Sequence, residues 1–439
     1  MLKAPGLAIL PALYAKHYGF SLTAISLVML ILRLSDAAMD LAVGYLSDRS
    51  RSRWGPRKPW LVGSIFVFVP ASFVLYVPGE NPTLWLFAIG YFFYYLGWAM
   101  FDIPYTAWGT ELATSYHDRS RLAVSRQLFT NIGLVIVALI PMLPFLASTE
   151  MNFEAIGFAA WMLVFLHPAM IAFAVATTPS GPAMVRMQGE SLRETLRAVR
   201  GNPPLLLFLG MAGLSDLAMG VNGAMAFIFF DTYLGIGASF TLIFVTALAV
   251  SLLSLKLWEI VVRRTSKRAL LLMCLVLGVA HGLAVLVMTP GPLALPLYMG
   301  YLTLYYILSV GRDVAMYAMI GDIVDYDTLK TGSNRAGQFT SAWMVFRKLA
   351  YALGPVLGLF IAGAAGYDPS APSNDSAGVL GLKAANGYLP ALLLAAAAAF
   401  AFRFPLTEAR HRIIRRRLEQ RAVRASRGTA RLEGVGDAP

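Results

Sequence analysis

Arg33, Asp36 and Asp40 lie inside an otherwise apolar stretch from Thr23 to Leu46. Residues three or four apart share a helix face, so the two carboxylates can present to one cavity, with Arg33 close to that face. An ionisable group at bilayer depth costs ~3 kcal/mol or more unless it is paired or turned toward water, and such positions ordinarily handle ions or protons. Neighbouring carboxylates also repel, and a cation or proton entering between them relieves that repulsion. The chemistry this spacing allows is reversible cation binding. A structural charge cluster, in which Arg33 or Lys348 ties two helices together, is the competing reading.

The elements that must hold these residues follow from composition. The 439 residues are 58% hydrophobic and only 14% charged. With a mean hydropathy of +0.64, there is too little polar surface for a soluble globule of this size. The net charge of +12 sits in the gaps between apolar runs, which fits membrane orientation and not nucleic-acid binding. Cys274 is the single cysteine and lies in an apolar run, so no internal disulfide is possible. Apolar runs of roughly twenty residues, the length that crosses ~30 Å of hydrocarbon, predict twelve helical spans. They fall near 4–18, 22–47, 60–78, 83–115, 122–147, 154–177, 204–234, 239–261, 269–289, 293–324, 338–364 and 383–404. The run from Lys3 to Ala15 also mimics a short signal peptide; we read it as a truncated first span, or as a sign that the true start lies upstream.

Alternate connections differ in charge. Arg49, Arg51, Arg53, Arg57 and Lys58 follow span 2; Arg119 and Arg121 follow span 4; Arg186, Arg193, Arg197 and Arg200 occupy the central linker; Arg263, Arg264, Lys267 and Arg268 follow span 8; Lys330 and Arg335 follow span 10. The short connections between these loops contain no Lys or Arg, which places both termini on the cytoplasmic side. A half-repeat is also visible. Asp102 is followed nine residues later by Glu111 and then a basic loop, and Asp313 is followed nine later by Asp322 and then a basic loop. This predicts an all-α integral membrane protein of two pseudo-symmetric six-helix bundles. The bundles are expected at 1–177 and 204–404, joined by a linker at 178–203 and followed by a basic cytoplasmic tail at 405–439.

Three sets of residues resemble one family. Asp36-Ala37-Ala38-Met39-Asp40 leads into Gly44-Tyr45-Leu46-Ser47-Asp48-Arg49 and Arg53-Trp54-Gly55-Pro56-Arg57-Lys58. Asp102-Ile103-Pro104-Tyr105 comes with Glu111, Tyr116, Arg119, Leu122 and Arg126. Asp322-Ile323-Val324-Asp325-Tyr326 comes with Thr331-Gly332, and Lys348 lies in span 11. Together they resemble the glycoside-pentoside-hexuronide:cation symporters of the major facilitator superfamily. The resemblance implies a secondary transporter, not an enzyme, in the bacterial inner membrane, using H⁺ or Na⁺ as coupling ion and no other cofactor. It implies Asp36 and Asp40 as the coupling pair, with any Na⁺ held there. Asp102, Arg126 and Lys348 match positions at or beside the sugar site, and Tyr95 and Trp98 are the aromatics near enough to Asp102 to stack on a sugar. The expected partners are a sugar or glycoside and the lipid bilayer, with no nucleic acid, and the expected state is a monomer.

Asp48, Arg49, Arg53, Arg57, Glu111 and Asp322 are expected to form a charge lock between the bundles at the cytoplasmic side. Asp216, in span 7, could join the cavity or not. Met39 and Ala99 stand where some sodium-using members carry neutral oxygens, which favours H⁺ as a contender, and Thr106 replaces an aromatic one turn after Asp102. Two alternatives remain: a lysolipid or other amphiphile carrier of the same family, and a Mg²⁺-dependent membrane prenyltransferase using Asp36/Asp40 and Asp322/Asp325/Asp327. The second fits poorly, because its first cluster would lie at mid-bilayer and its second at the cytoplasmic mouth.

Overall fold

The computed structural model describes Gly6 and residues 9–112, 116–179, 197–333 and 335–433. The described residues are helical throughout, with no strand among them. In chain order the helices are α1 Leu10–Tyr18, α2 Leu22–Arg49, α3 Lys58–Tyr76, α4 Leu84–Leu112, α5 Tyr116–Leu139 and α6 Phe153–Thr177. They continue as α7 Pro203–Tyr233, α8 Phe240–Arg264, α9 Lys267–Ala284, α10 Ala294–Thr331, α11 Ala336–Ala364, α12 Ser376–Arg403 and α13 Glu408–Glu433. Most of the linker, with Arg186 and Arg193, lies outside the described residues.

Local chemistry sets several of these ends. Asn152, Asn202, Ser266 and Asp375 each accept a backbone N–H from the first turn of the helix that follows. Pro203 and Pro204 then occupy positions where a missing N–H costs nothing. Because Asp375 caps α12, that helix begins seven residues before the predicted span at 383, and the preceding loop is correspondingly shorter.

Ten helices among the described residues are long and apolar enough to cross a bilayer. α1 and α10 are not among them. α1 has only nine residues. α10 has 38, but it carries Arg312, Asp313, Asp322, Asp325, Asp327 and Lys330. Leu41, Phe66, Trp85, Phe129, Leu253 and Phe402 are all exposed, leaving a surface that lipid would solvate and water would not.

Helix pairings recur with a shift of six. α2 packs on α4 and α8 on α10; α3 packs on α4 and α9 on α10; α3 packs on α6 and α9 on α12. α7 packs most extensively on α11. A Cβ on Gly354 of α11 would strike the backbone of Gly220 and Val221, so the two helices meet backbone to backbone. Gly354 therefore serves close packing in this conformation. Between α1–α6 and α7–α12 the main contact is α2 on α11, where Gly363 abuts Thr23 at one end.

Candidate functional site

The face carrying the basic loops, here called the basic end, differs from the opposite end in how the halves meet. At the opposite end Lys16 Nζ lies 2.9 Å from Asp231 Oδ2 and 3.5 Å from Glu150 Oε2. Nearby, Thr241 Oγ1 donates to the Ala138 carbonyl at 2.6 Å and Thr149 Oγ1 to that of Ala238 at 3.2 Å. At the basic end, by contrast, the ion pairs found among the described residues stay within one half. Arg57 binds Asp48 at 2.6 Å and Glu111 at 2.8 Å, and also donates to Ser47 Oγ. Lys267 binds Asp322 at 2.6 Å. Burial alone would lower the Arg57 pKa, but hydrogen bonds to Glu111 and Asp48 more than offset this and leave it raised. Among the described residues, the ion pairs at the opposite end thus cross between the halves and those at the basic end do not.

Of the six residues expected in a lock between bundles, Asp48, Arg57 and Glu111 form one cluster and Asp322 belongs to another. Arg49 instead stacks on Tyr45, its guanidinium 3.4 Å from the ring centre, and Arg53 is exposed. None of the pairs these six residues make among the described residues crosses between the halves.

Between the halves, Lys348 of α11 reaches across to α2. Its ammonium bonds to Asp40 Oδ2 and lies 3.9 Å from Asp36 Oδ2. The Asp36 side chain is 10% exposed and that of Asp40 23%, whereas the Lys348 side chain is 48% exposed. One turn before Asp36, Arg33 is buried with its guanidinium 4.9 Å from the Tyr95 ring centre. On α4 and α5, Arg126 holds Asp102 at 2.7 Å and donates to Thr106 Oγ1 at 2.8 Å, with the Tyr105 ring 5.6 Å beneath it. Thr106, unlike an aromatic, thereby joins the polar network, and the neighbouring Tyr105 supplies the ring.

Tyr95 offers no face to a ligand here, contrary to the expectation from sequence. It is 2% exposed, enclosed by Tyr91, Tyr94 and Arg33. Trp98 is half-buried against Phe68 and Phe101. Both rings pack inside the α1–α6 half, Tyr95 under Arg33 of α2 and Trp98 against Phe68 of α3.

A second charged group gathers around Asp216, whose role the sequence left open, and its arginines went unrecognised there. On α10, Asp313 accepts from Arg312 Nη2 and Arg347 Nη2, each at 2.9 Å. Asp216 of α7, only 1% exposed, lies 3.6 Å from Arg312 and 3.4 Å from Arg347. The signal was present: Asp313 matches Asp102 in the half-repeat, and an arginine from the next helix binds each. Likewise Glu111 with Arg57 is echoed by Asp322 with Lys267. Among the described residues no group of three or more His, Cys, Asp or Glu could hold a metal ion.

Charged side chains paired between the two halves of a helical membrane protein are an arrangement that the class of transporters requires. The MFS/sugar transport protein family model matches residues 2–408, and the chain belongs to that family. It is 24% identical to an uncharacterized symporter of Synechocystis sp., over 90% of this chain and 89% of that protein. It is also 24% identical to the lactose permease of Lactobacillus delbrueckii subsp. bulgaricus, over 88% of this chain and 64% of the permease. A glucuronide carrier protein homolog of Escherichia coli is 23% identical, over 92% and 89%. In fold it is similar to the nucleoside transporter NupG, with a TM-score of 0.63 at 12% identity over 92% of this chain and 94% of that one. A bacterial homolog of the lysosomal transporter Spinster, in an inward-facing and occupied conformation, gives 0.65 at 13% identity over 92% of both chains. The chain is a transporter and not an enzyme, which removes the prenyltransferase alternative.

Removing the Lys16 charge by Lys16→Gln should loosen the fastened end. A charge-assisted hydrogen bond to the buried Asp231 contributes ~1.5–3 kcal/mol, so the population open at that end should rise about tenfold or more. Maleimide labelling of a Ser26→Cys reporter, buried near that end of α2, measures this, and the buried Cys274 does not compete. Unchanged labelling would mean that the lysine does not hold the end shut.

Proposed function

We propose that the protein is a cation-coupled symporter of a sugar or glycoside-like polar solute, working by alternating access between two six-helix halves. The observation that carries this reading is the Lys348 bridge to Asp36 and Asp40, because it joins the two halves at the predicted coupling pair. Lys348 acts as an internal cation. When H⁺ or Na⁺ takes its place between the carboxylates, the ammonium is released, the link between α2 and α11 loosens, and the halves can rock. Asp102 with Arg126 then offers a carboxylate and a guanidinium to substrate hydroxyls, with Tyr105 beneath. By linkage, substrate and cation tighten each other's binding equally.

Relatives named for lactose and glucuronide support a glycoside as substrate. The basic loops support a cytoplasmic basic end and cytoplasmic termini in a bacterial inner membrane, and the pairs joining the halves at the other end favour reading this conformation as inward-facing. The test is counterflow in proteoliposomes against glycosides, pentoses and uronates, with Na⁺ and pH gradients imposed separately. One of these solutes should exchange, and one of the two gradients should concentrate it. Exchange of lysolipid but of no sugar would replace the substrate assignment with an amphiphile.

A further inference from the structure

At the basic end of α10 and α11 lies a cavity of about 580 Å³ that the transport reading does not use, walled by Arg197, Gly201, Asp327, Lys330, Arg335 and Gln338. Three of these residues are cations and one is an anion. Asp327 is 3% exposed and is satisfied from within: Asn202 Nδ2 lies at 3.4 Å, Thr331 Oγ1 at 3.5 Å and Arg335 Nη1 at 3.9 Å. Lys330 gives one N–H to the Gly201 carbonyl at 3.1 Å, which leaves two for a ligand. Among the described residues, no carboxylate forms an ion pair with Arg197 or Lys330.

The N-terminus of a long helix adds to the same field. α11 begins at this wall with Arg335 at its N-cap, and its 29 residues direct the positive end of their dipole toward the cavity. Gln338, in the first turn, has its Oε1 buried without a hydrogen-bond partner, and rotating that amide would turn N–H donors to the same place. Guanidinium and ammonium donors converging from three segments suit a multidentate oxyanion better than a monovalent halide.

We propose that this cavity binds a phosphate group, either as inorganic phosphate from solution or on the headgroup of an anionic phospholipid. Arg421 of α13 donates to the Leu329 carbonyl at 2.7 Å, so the basic tail helix closes over the same end of α10. A bound phosphate would therefore pin the linker residues, α10 and α11 to one another at the basic end.

Thermal unfolding of the full chain tests this in neutral detergent with inorganic phosphate against chloride at equal ionic strength, and in phosphatidylcholine nanodiscs with and without phosphatidylglycerol. Wild type should be stabilised by phosphate, by phosphatidylglycerol, or by both. A response to phosphate alone identifies a solution ligand, and a response to phosphatidylglycerol alone a headgroup. Arg197→Gln and Lys330→Gln, both at exposed positions that should leave the fold intact, are each expected to weaken the apparent affinity about tenfold. No response in wild type, or a response of the same size in both variants, overturns the assignment.

Discussion

Asp40→Asn is expected to abolish concentrative uptake while leaving exchange at equal concentrations intact. The carboxylate of Asp40 is the one bonded to Lys348, and it is more exposed than that of Asp36. Making it neutral removes half of the charge that an entering cation must satisfy. A membrane potential of 100 mV supplies ~2.3 kcal/mol per elementary charge, enough for accumulation of about fiftyfold at one charge per cycle. That ratio should fall to one in the variant. Lys348→Gln should act in the other direction on the cation: two carboxylates without their internal ammonium repel, so the apparent cation affinity should rise, by about tenfold for each 1.4 kcal/mol released. Uptake and exchange in the same proteoliposomes separate the two effects. If Asp40→Asn still concentrates substrate to the wild-type ratio, the pair is structural and coupling resides elsewhere.

Arg312→Met is expected to damage stability before transport. Arg312 is 5% exposed and lies between Asp313 and Asp216, with a further hydrogen bond to the Ser215 carbonyl at 3.1 Å. Deleting one partner of a buried ion cluster leaves an uncompensated charge, at a cost of about 3–5 kcal/mol. The loss should appear as a lower melting temperature in detergent and a lower yield from the membrane. Adding Asp216→Asn removes the stranded charge and should restore much of the stability. If the single and double variants melt alike, Asp216 does not depend on Arg312.

The helical architecture was legible because bilayer thickness imposes a length on apolar runs, and the loops were legible because their charges alternate. What failed at α1 and α10 was the simple criterion of length and apolarity. α10 spends its polarity on Arg312 and Asp313, which are matched by Asp216 and Arg347 and so need no lipid-compatible surface. The acidic residues of the candidate site were visible one at a time through spacing. Their partners were not, because Lys348 with Asp40 and Arg347 with Asp313 are pairs made by helices far apart in sequence. Tyr95 shows the opposite difficulty: an aromatic about two turns before Asp102 cannot be assigned to cleft or core by counting along the helix, and here Arg33 covers it.

The backbone contact between Gly220 and Gly354 has a mechanical consequence. Helices riveted this closely cannot slide past one another, so α7 and α11 travel as a single lever. One arm of that lever bears Lys348 against Asp40, and the other ends at Asp231 beneath Lys16. On the proposed mechanism, freeing the ammonium between α2 and α11 therefore pries at the far latch, and a bulkier residue at position 354 would disconnect ion entry from the unlocking of that end.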